Sequence, residues 1–443
     1  MLHKEDIMKA IGLDIGTTSI STVVLDLESS KTVCSKTISN GSFIKTENSW
    51  ERIQNVSVLT EKAIDVLDEM IDHYPDIAAI GLTGQMHGIL YVDAEGNCLS
   101  PLYTWEDGRG DLPMEDCGES AVSYVSGRYG LPVASGYGLM THLYHTRCHM
   151  VPEKAATFCT IADYIGMKIT RRKKPLVNNT NAASFGMFDV KNGCFYKDII
   201  AEAGMDPALL PETTAEVEVL GKYRYIPVVT ALGDNQASFL GAVGMEEETW
   251  LLNVGTGGQL SVLSKVCFEA PGVEARPYLN GTYLLAGSAL CSGRAYAILE
   301  HFFRSYAAAL GQGDQAQYAV MEKLVKEVDP ADCMHVVTKF GGTRIDPSVR
   351  GSISNISENN FTPGGLVYGT LRGISQELYD WYDIIHKGTG INVSRLLGSG
   401  NGVRKNAILR ELFSEMFRCP LELSRYEEEA ACGAASSYLY RKQ

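Results

Sequence analysis

Asp14 and Asn253 occupy the same place in a phrase that the chain contains twice. The first copy reads Gly12-Leu13-Asp14-Ile15-Gly16-Thr17-Thr18, the second Leu252-Asn253-Val254-Gly255-Thr256-Gly257-Gly258. A Gly-Thr turn offers successive backbone N–H groups and a hydroxyl, which together can hold an anion. Two such turns can grip one polyphosphate from both sides. The carboxylate of Asp14 can hold hydrated Mg2+ and the amide of Asn253 does so poorly, which puts the metal at the first turn. Asp234 is the candidate base: it can accept a proton from a sugar hydroxyl and align the oxygen for in-line attack. Its bland alternative is a helix N-cap and nothing more. Gln85, Met86, His87, Trp105, Asp107, Arg109 and Asn235 are the polyol candidates, with Met86 or Trp105 as the apolar wall such a site needs. For His87 the competing reading is a structural histidine. Clamp, metal and base are the three requirements of phosphoryl transfer.

Such residues must be carried by particular elements. Apolar runs on both sides of each Gly-Thr phrase predict strand, turn, strand. Apolar residues at three- and four-residue steps predict a helix over 50–73. A buried strand over 77–82 opens into the loop holding Gln85 to His87, and another over 226–232 ends at Gly233-Asp234, ahead of a helix-like run over 237–243. Open α/β sheets place ligands at such strand ends. Further along, the pattern predicts a strand over 283–286 and helices over 293–309, 365–386, 405–417 and 427–440. His142, His145 and His149, with Cys148, have metal-like spacing, but apolar residues interleave with them as on a packed surface helix, and no metal site is assigned.

A chain of 443 residues exceeds one ordinary core, so two domains are expected, cut at about residue 240 into 1–240 and 241–443. Hydrophobic content of 45% and charged content of 21% fit a soluble globular protein. The net charge of −14 argues against non-specific nucleic-acid or anionic-membrane partners. Eleven cysteines without a Cys-x-x-Cys pair fit a reducing cytoplasm. Residues 1–6 lack a signal-peptide pattern, and no apolar run is long enough to span a bilayer. The expected partner is a small-molecule sugar; a homodimer stays open.

These motifs together resemble the FGGY carbohydrate kinases of the actin-like ATPase superfamily, over nearly the whole chain. Gly16, Thr17 and Thr18 resemble the first phosphate motif, and Gly255, Thr256 and Gly257 the second. Gly84 to Gly88 and Trp105 to Arg109 are similar to the family's sugar loops. Gly233-Asp234-Asn235 is similar to the loop that carries its catalytic aspartate. Gly398, Ser399, Gly400 and Asn401, with Asn406 a turn later, resemble the adenosine motif. The resemblance implies an α/β fold of two actin-like (ribonuclease H-like) ATPase domains flanking a nucleotide and sugar cleft. It implies transfer of the ATP γ-phosphoryl group, with Mg2+, to a primary hydroxyl of a ketose, sedoheptulose first and xylulose or ribulose second. An actin-like or chaperone-type ATPase without sugar turnover is the distant alternative. Where relatives carry Gly-Gly-Asn this chain has Ser292-Gly293-Arg294, and Arg294 is read as a solvated helix residue.

Overall fold

A computed structural model of the chain describes residues 8–343, 346 and 348–442. The acidic start at residues 1–6 lies outside them. The chain divides into two compact units: Met1–Gly244 with Arg276–Thr282 and Tyr426–Gln443, and Met245–Ala275 with Tyr283–Arg425. The expected cut at 240 differs from this division, because two later segments belong to the first unit.

In the first unit, strands Lys9–Ile15, Ser19–Asp26 and Lys31–Ser39 form an antiparallel meander. Lys9–Ile15 also runs parallel to Ile77–Gly84, which in turn pairs parallel with Ile226–Val229 and Leu232–Gly233. Side chains alternate between the faces of a strand. Ile11, Leu13 and Ile15 therefore join Leu59, Ala63, Leu67 and Met70 of the helix Val56–His73 in one core. The opposite face, with Ala10, Val23, Leu25 and Ala79, packs against Ala431, Cys432 and Ala435 of the helix Glu429–Ser437. That contact is close to backbone on backbone. Gly12 and Gly81 sit side by side, and a Cβ on either would come within 1.7 Å of the carbonyl of Ala431 or Ala434. Small residues on both surfaces are what bring the end of the chain back to the first unit.

The second unit repeats the plan. Thr249–Val254, Gly258–Ser264 and Tyr283–Ala289 form the antiparallel part. Thr249–Val254 is also parallel to Arg395–Ser399, which is parallel to Leu421–Leu423. Trp250, Leu252, Val254, Leu260 and Val262 make the core with Val367, Leu371, Ile374 and Leu378 of the helix Pro363–Thr389. The duplication seen in the Gly-Thr phrase thus extends to whole sheets.

Some elements differ from the sequence expectation for local reasons. The helix expected from residue 50 starts at Val56, because Asn55 caps it and Ile53–Gln54 pair instead with Leu102–Tyr103. The helix expected over 405–417 is two, Gly400–Lys405 and Ala407–Phe417, broken where Asn406 caps the second through Leu409 N–H. The helix Gly138–Arg147 is not a surface helix: His142 and His145 are buried. Among the described residues no helix is long and apolar enough to cross a membrane.

Candidate active site

Three parallel strands of the first unit end at one level. Ile15 pairs with Gly84 and Gly84 with Gly233, so the next residues, Gly16, Gln85 and Asp234, emerge side by side. Asp234 is the first residue of the helix Asp234–Ala242, which begins three residues before the expected run. The N-cap is Gly233, so Asp234 does not hold the capping position that was its alternative reading. Its carboxylate accepts instead from the Asn235 side-chain amide at 2.9 Å. Burial pushes the Asp234 carboxyl up to about 6, against the opposing pull of the Asn235 hydrogen bonds and the Arg276 charge. Asp14 is pushed up to about 7, first by burial and then by the charges of Asp234 and Glu428. Carboxylates that repel one another at a strand end are a hard-oxygen donor set, and a divalent cation would relieve the repulsion. Among the described residues no group of three or more His, Cys, Asp or Glu could hold a metal alone.

The first Gly-Thr turn is fastened by buried amides. Asn40 Nδ2 donates to the carbonyls of Gly16 and Thr17, and Gln54 Nε2 donates to the Thr17 carbonyl. Peptide planes here are trans, so drawing these carbonyls into the fold turns the N–H groups of Thr17 and Thr18 the other way. In the second unit the carbonyls of Gly255 and Thr256 accept from the backbone N–H groups of Gly293, Ser292 and Arg294, at the start of the helix Gly293–Ala309. The N–H groups of Thr256 and Gly257 are turned outward by the same geometry. Gly293 is required there, since a Cβ would lie 2.2 Å from the Gly255 carbonyl oxygen. Ser399 pairs with Asn253, so the residues expected as a loop, Gly398 to Asn401, are the end of the strand Arg395–Ser399 and the start of the helix Gly400–Lys405, beside the second turn. The oxygen of Asn406 is occupied as a helix cap, and the Arg294 side chain is exposed.

The polyol candidates separate into two groups. Met86 contacts Asn235, its sulfur 3.6 Å from the amide nitrogen. His87 has a left-handed backbone, φ +69°, a conformation costly for a residue with a Cβ. Ser184 holds it there: its hydroxyl accepts from the His87 N–H at 3.0 Å and its carbonyl accepts from Nδ1 at 2.7 Å. A carbonyl only accepts, so the proton sits on Nδ1. The ring stacks on Tyr137 at 4.6 Å. Trp105 Nε1 donates to the Thr17 hydroxyl, joining the 105–109 segment to the first Gly-Thr turn. Gln85 is buried, bonded to Gln54.

Asp107 and Arg109, in contrast, turn into the fold and pair with each other. Asp107 accepts from the Arg109 N–H, Nε and Nη2 and from the Arg52 N–H. Arg109 also donates to His145 Nε2 at 2.6 Å and lies over the Tyr103 ring. The His145 proton is therefore on Nδ1, facing the Tyr91 hydroxyl, and that hydroxyl donates onward to His142 Nδ1. Burial holds both histidines neutral, His142 near 4 and His145 near 3. Sequence reasoning missed Asn40 and Gln54, which lie far along the chain from what they hold and belong to no recognisable pattern. Ser184 lies in a segment, Asn181 to Gly186, that resembles the family, but its hold on His87 was not foreseen.

Residues 9–241 match the FGGY family of carbohydrate kinases, N-terminal domain, and residues 251–439 match the C-terminal domain of the same family. The chain is 27% identical to a sedoheptulokinase of Mus musculus, with 97% of each chain covered. It is 24% identical to a xylulose kinase of Staphylococcus xylosus, over 96% of this chain and 89% of that one. In structure it is similar to a xylulose kinase from Rhodospirillum rubrum, with a TM-score of 0.83, 22% identity, and coverage of 97% and 89%.

Proposed function

Because the chain belongs to the FGGY family of carbohydrate kinases, and so is an ATP-dependent sugar kinase, we propose that it phosphorylates a primary hydroxyl of a ketose, sedoheptulose before xylulose or ribulose. Asp234 is the base. The observation that carries this reading is the level of the three strand ends, which sets Asp234 beside Asp14 and the Gln85–His87 loop. With its carboxyl near 6, Asp234 is mostly ionised above neutral pH yet basic enough to take a hydroxyl proton as the bond to phosphorus forms. Met86 and Asn235 border it, and His87, pinned by Ser184, offers a fixed ring edge to the sugar.

Asp14 would hold Mg2+, which when bound supplies positive charge to the phosphates. The outward N–H groups of Thr17 and Thr18 bind phosphate, as do those of Thr256 and Gly257. The strand-to-helix junction at Gly398 to Asn401 takes the adenosine. Asp107 and Arg109 act as support for the Trp105 loop. A reducing cytoplasm is the proposed location, in keeping with eleven free cysteines.

The test is ADP release measured with sedoheptulose, xylulose, ribulose and glycerol in turn. Release is expected only with a sugar, and most with sedoheptulose. Asp234→Asn is expected to lower kcat by roughly 10²- to 10⁴-fold while nucleotide binding survives. His87→Ala should raise the KM for sugar more than that for ATP. Sugar-independent hydrolysis that Asp234→Asn leaves intact would overturn the assignment.

A further inference from the structure

Gln54 belongs to no motif, yet it is wholly buried between the two halves of the proposed chemistry. Its Nε2 lies 2.7 Å from the Thr17 carbonyl and its Oε1 2.8 Å from Gln85 Nε2. The orientation of an amide is read from its partners. The Thr17 carbonyl can only accept, so the Gln54 nitrogen faces Thr17 and its oxygen faces Gln85. The Gln85 nitrogen must then face Gln54, and the Gln85 oxygen points the other way. That oxygen is buried, with no hydrogen-bond partner among the described residues. Leaving a buried acceptor unpaired is costly, so the site favours a ligand that brings a donor. Gln85 emerges level with Asp234 and precedes Met86, the neighbour of Asn235. Gln236 follows the same logic. Its Nε2 donates to the Pro277 carbonyl, and its buried oxygen, also without a partner, lies beside Gly233 and Met86.

We propose that Gln54 is a positioning residue that sets specificity: by locking the Gln85 amide with its oxygen toward the sugar, it makes the site demand a hydroxyl donor at that point. The inference rests on the ketose kinase reading above. It names a requirement on the substrate, namely a free hydroxyl that donates, which an ether, a fluorine or a bare methylene cannot meet. It also gives one residue hold of both the phosphate turn and the sugar loop.

The probe is a set of sedoheptulose analogues in which each hydroxyl other than the phosphoryl acceptor is replaced singly by hydrogen or by fluorine, assayed with the full-length chain. At one position both replacements are expected to lower kcat/KM by roughly tenfold or more, fluorine faring no better than hydrogen because it cannot donate. In Gln54→Met, Gln85 is free to turn over, and the penalty at that position should shrink to about twofold while the KM for ATP shifts separately. Gln54→Glu, protonated when buried, can donate to Thr17 and accept from Gln85, so it should restore the penalty. If fluorine is tolerated wherever hydrogen is not, Gln85 presents a donor and the proposal is wrong. The wild-type analogues decide this even if Gln54→Met does not fold. An unchanged penalty in a folded Gln54→Met also overturns it. Ketose turnover without any fluorine penalty removes only the role of Gln54; absence of ketose turnover removes the ketose reading with it.

Discussion

The two Gly-Thr turns present the same pair of outward N–H groups but are fastened by different means. Side-chain amides from Asn40 and Gln54 hold the first turn, which carries Asp14 beside it. Backbone N–H groups at the start of the helix Gly293–Ala309 hold the second, which carries Asn253. A turn fastened by side chains can be loosened by single substitutions and can be tied to other side chains, as the first is to Gln85 and Trp105. A turn fastened by backbone is indifferent to most substitutions of its fasteners. Under the proposed reading the duplicated phrase supplies two phosphate turns of like geometry, and their asymmetry of support puts substrate sensing at the first.

Asp14→Asn, which removes the difference in charge between the two turns, tests the asymmetry most severely. If Asp14 holds the metal, kcat should fall by roughly 10²-fold or more, with loss of the Mg2+ dependence in a coupled assay. The same variant should gain stability at high pH. The Asp14 carboxyl is near 7 in the folded chain, against 3.8 ordinarily, so its protonated form favours folding below about pH 4 and that contribution is lost as pH rises through 7. Melting curves should show Asp14→Asn above wild type at pH 8 and close to it at pH 4. A lower melting temperature at pH 8 would mean that the charge is compensated by a partner rather than stored for a cation.

The next effect in size concerns the fasteners of the first turn. Asn40 is buried, and besides its two bonds to the turn its Oδ1 accepts from the N–H and hydroxyl of Ser42. Asn40→Ala leaves the Gly16 carbonyl without that partner, a loss of about 1–3 kcal/mol, or roughly tenfold in the KM for ATP. Sugar binding measured without nucleotide should change far less. Equal losses for both substrates would show that Asn40 supports the whole unit rather than the turn.

Much of this arrangement was legible because the signals are local. Gly-Thr phrases between apolar runs gave both hairpins, the apolar stretch at 77–82 gave the central strand, and helical periodicity gave Gly293–Ala309. What stayed hidden depends on distance. Gln54 before a helix is unremarkable until a carbonyl 37 residues away is folded against it. The alanine-rich run near the end was readable as a helix, but only the opposing Gly12 and Gly81 reveal where it docks. Asp107 and Arg109 have the right types for a polyol, and burial, which composition does not show, pairs them with each other.

The smallest effects are expected at the second turn, and they are the sharpest check on the contrast. The Arg294 side chain is exposed, whereas its N–H donates to the Thr256 carbonyl at 2.9 Å. Arg294→Ala keeps that N–H and should change the KM for ATP by less than about twofold, within the range of ordinary surface substitutions. Arg294→Pro removes the N–H at a first-turn position where a helix tolerates proline, so the bond to the turn is lost with little cost to the helix itself. It should raise the KM for ATP several-fold at an unchanged melting temperature, since the Ser292 N–H still reaches Thr256. A strong effect of Arg294→Ala would instead place the guanidinium on the nucleotide, and the second turn, like the first, would then depend on a side chain.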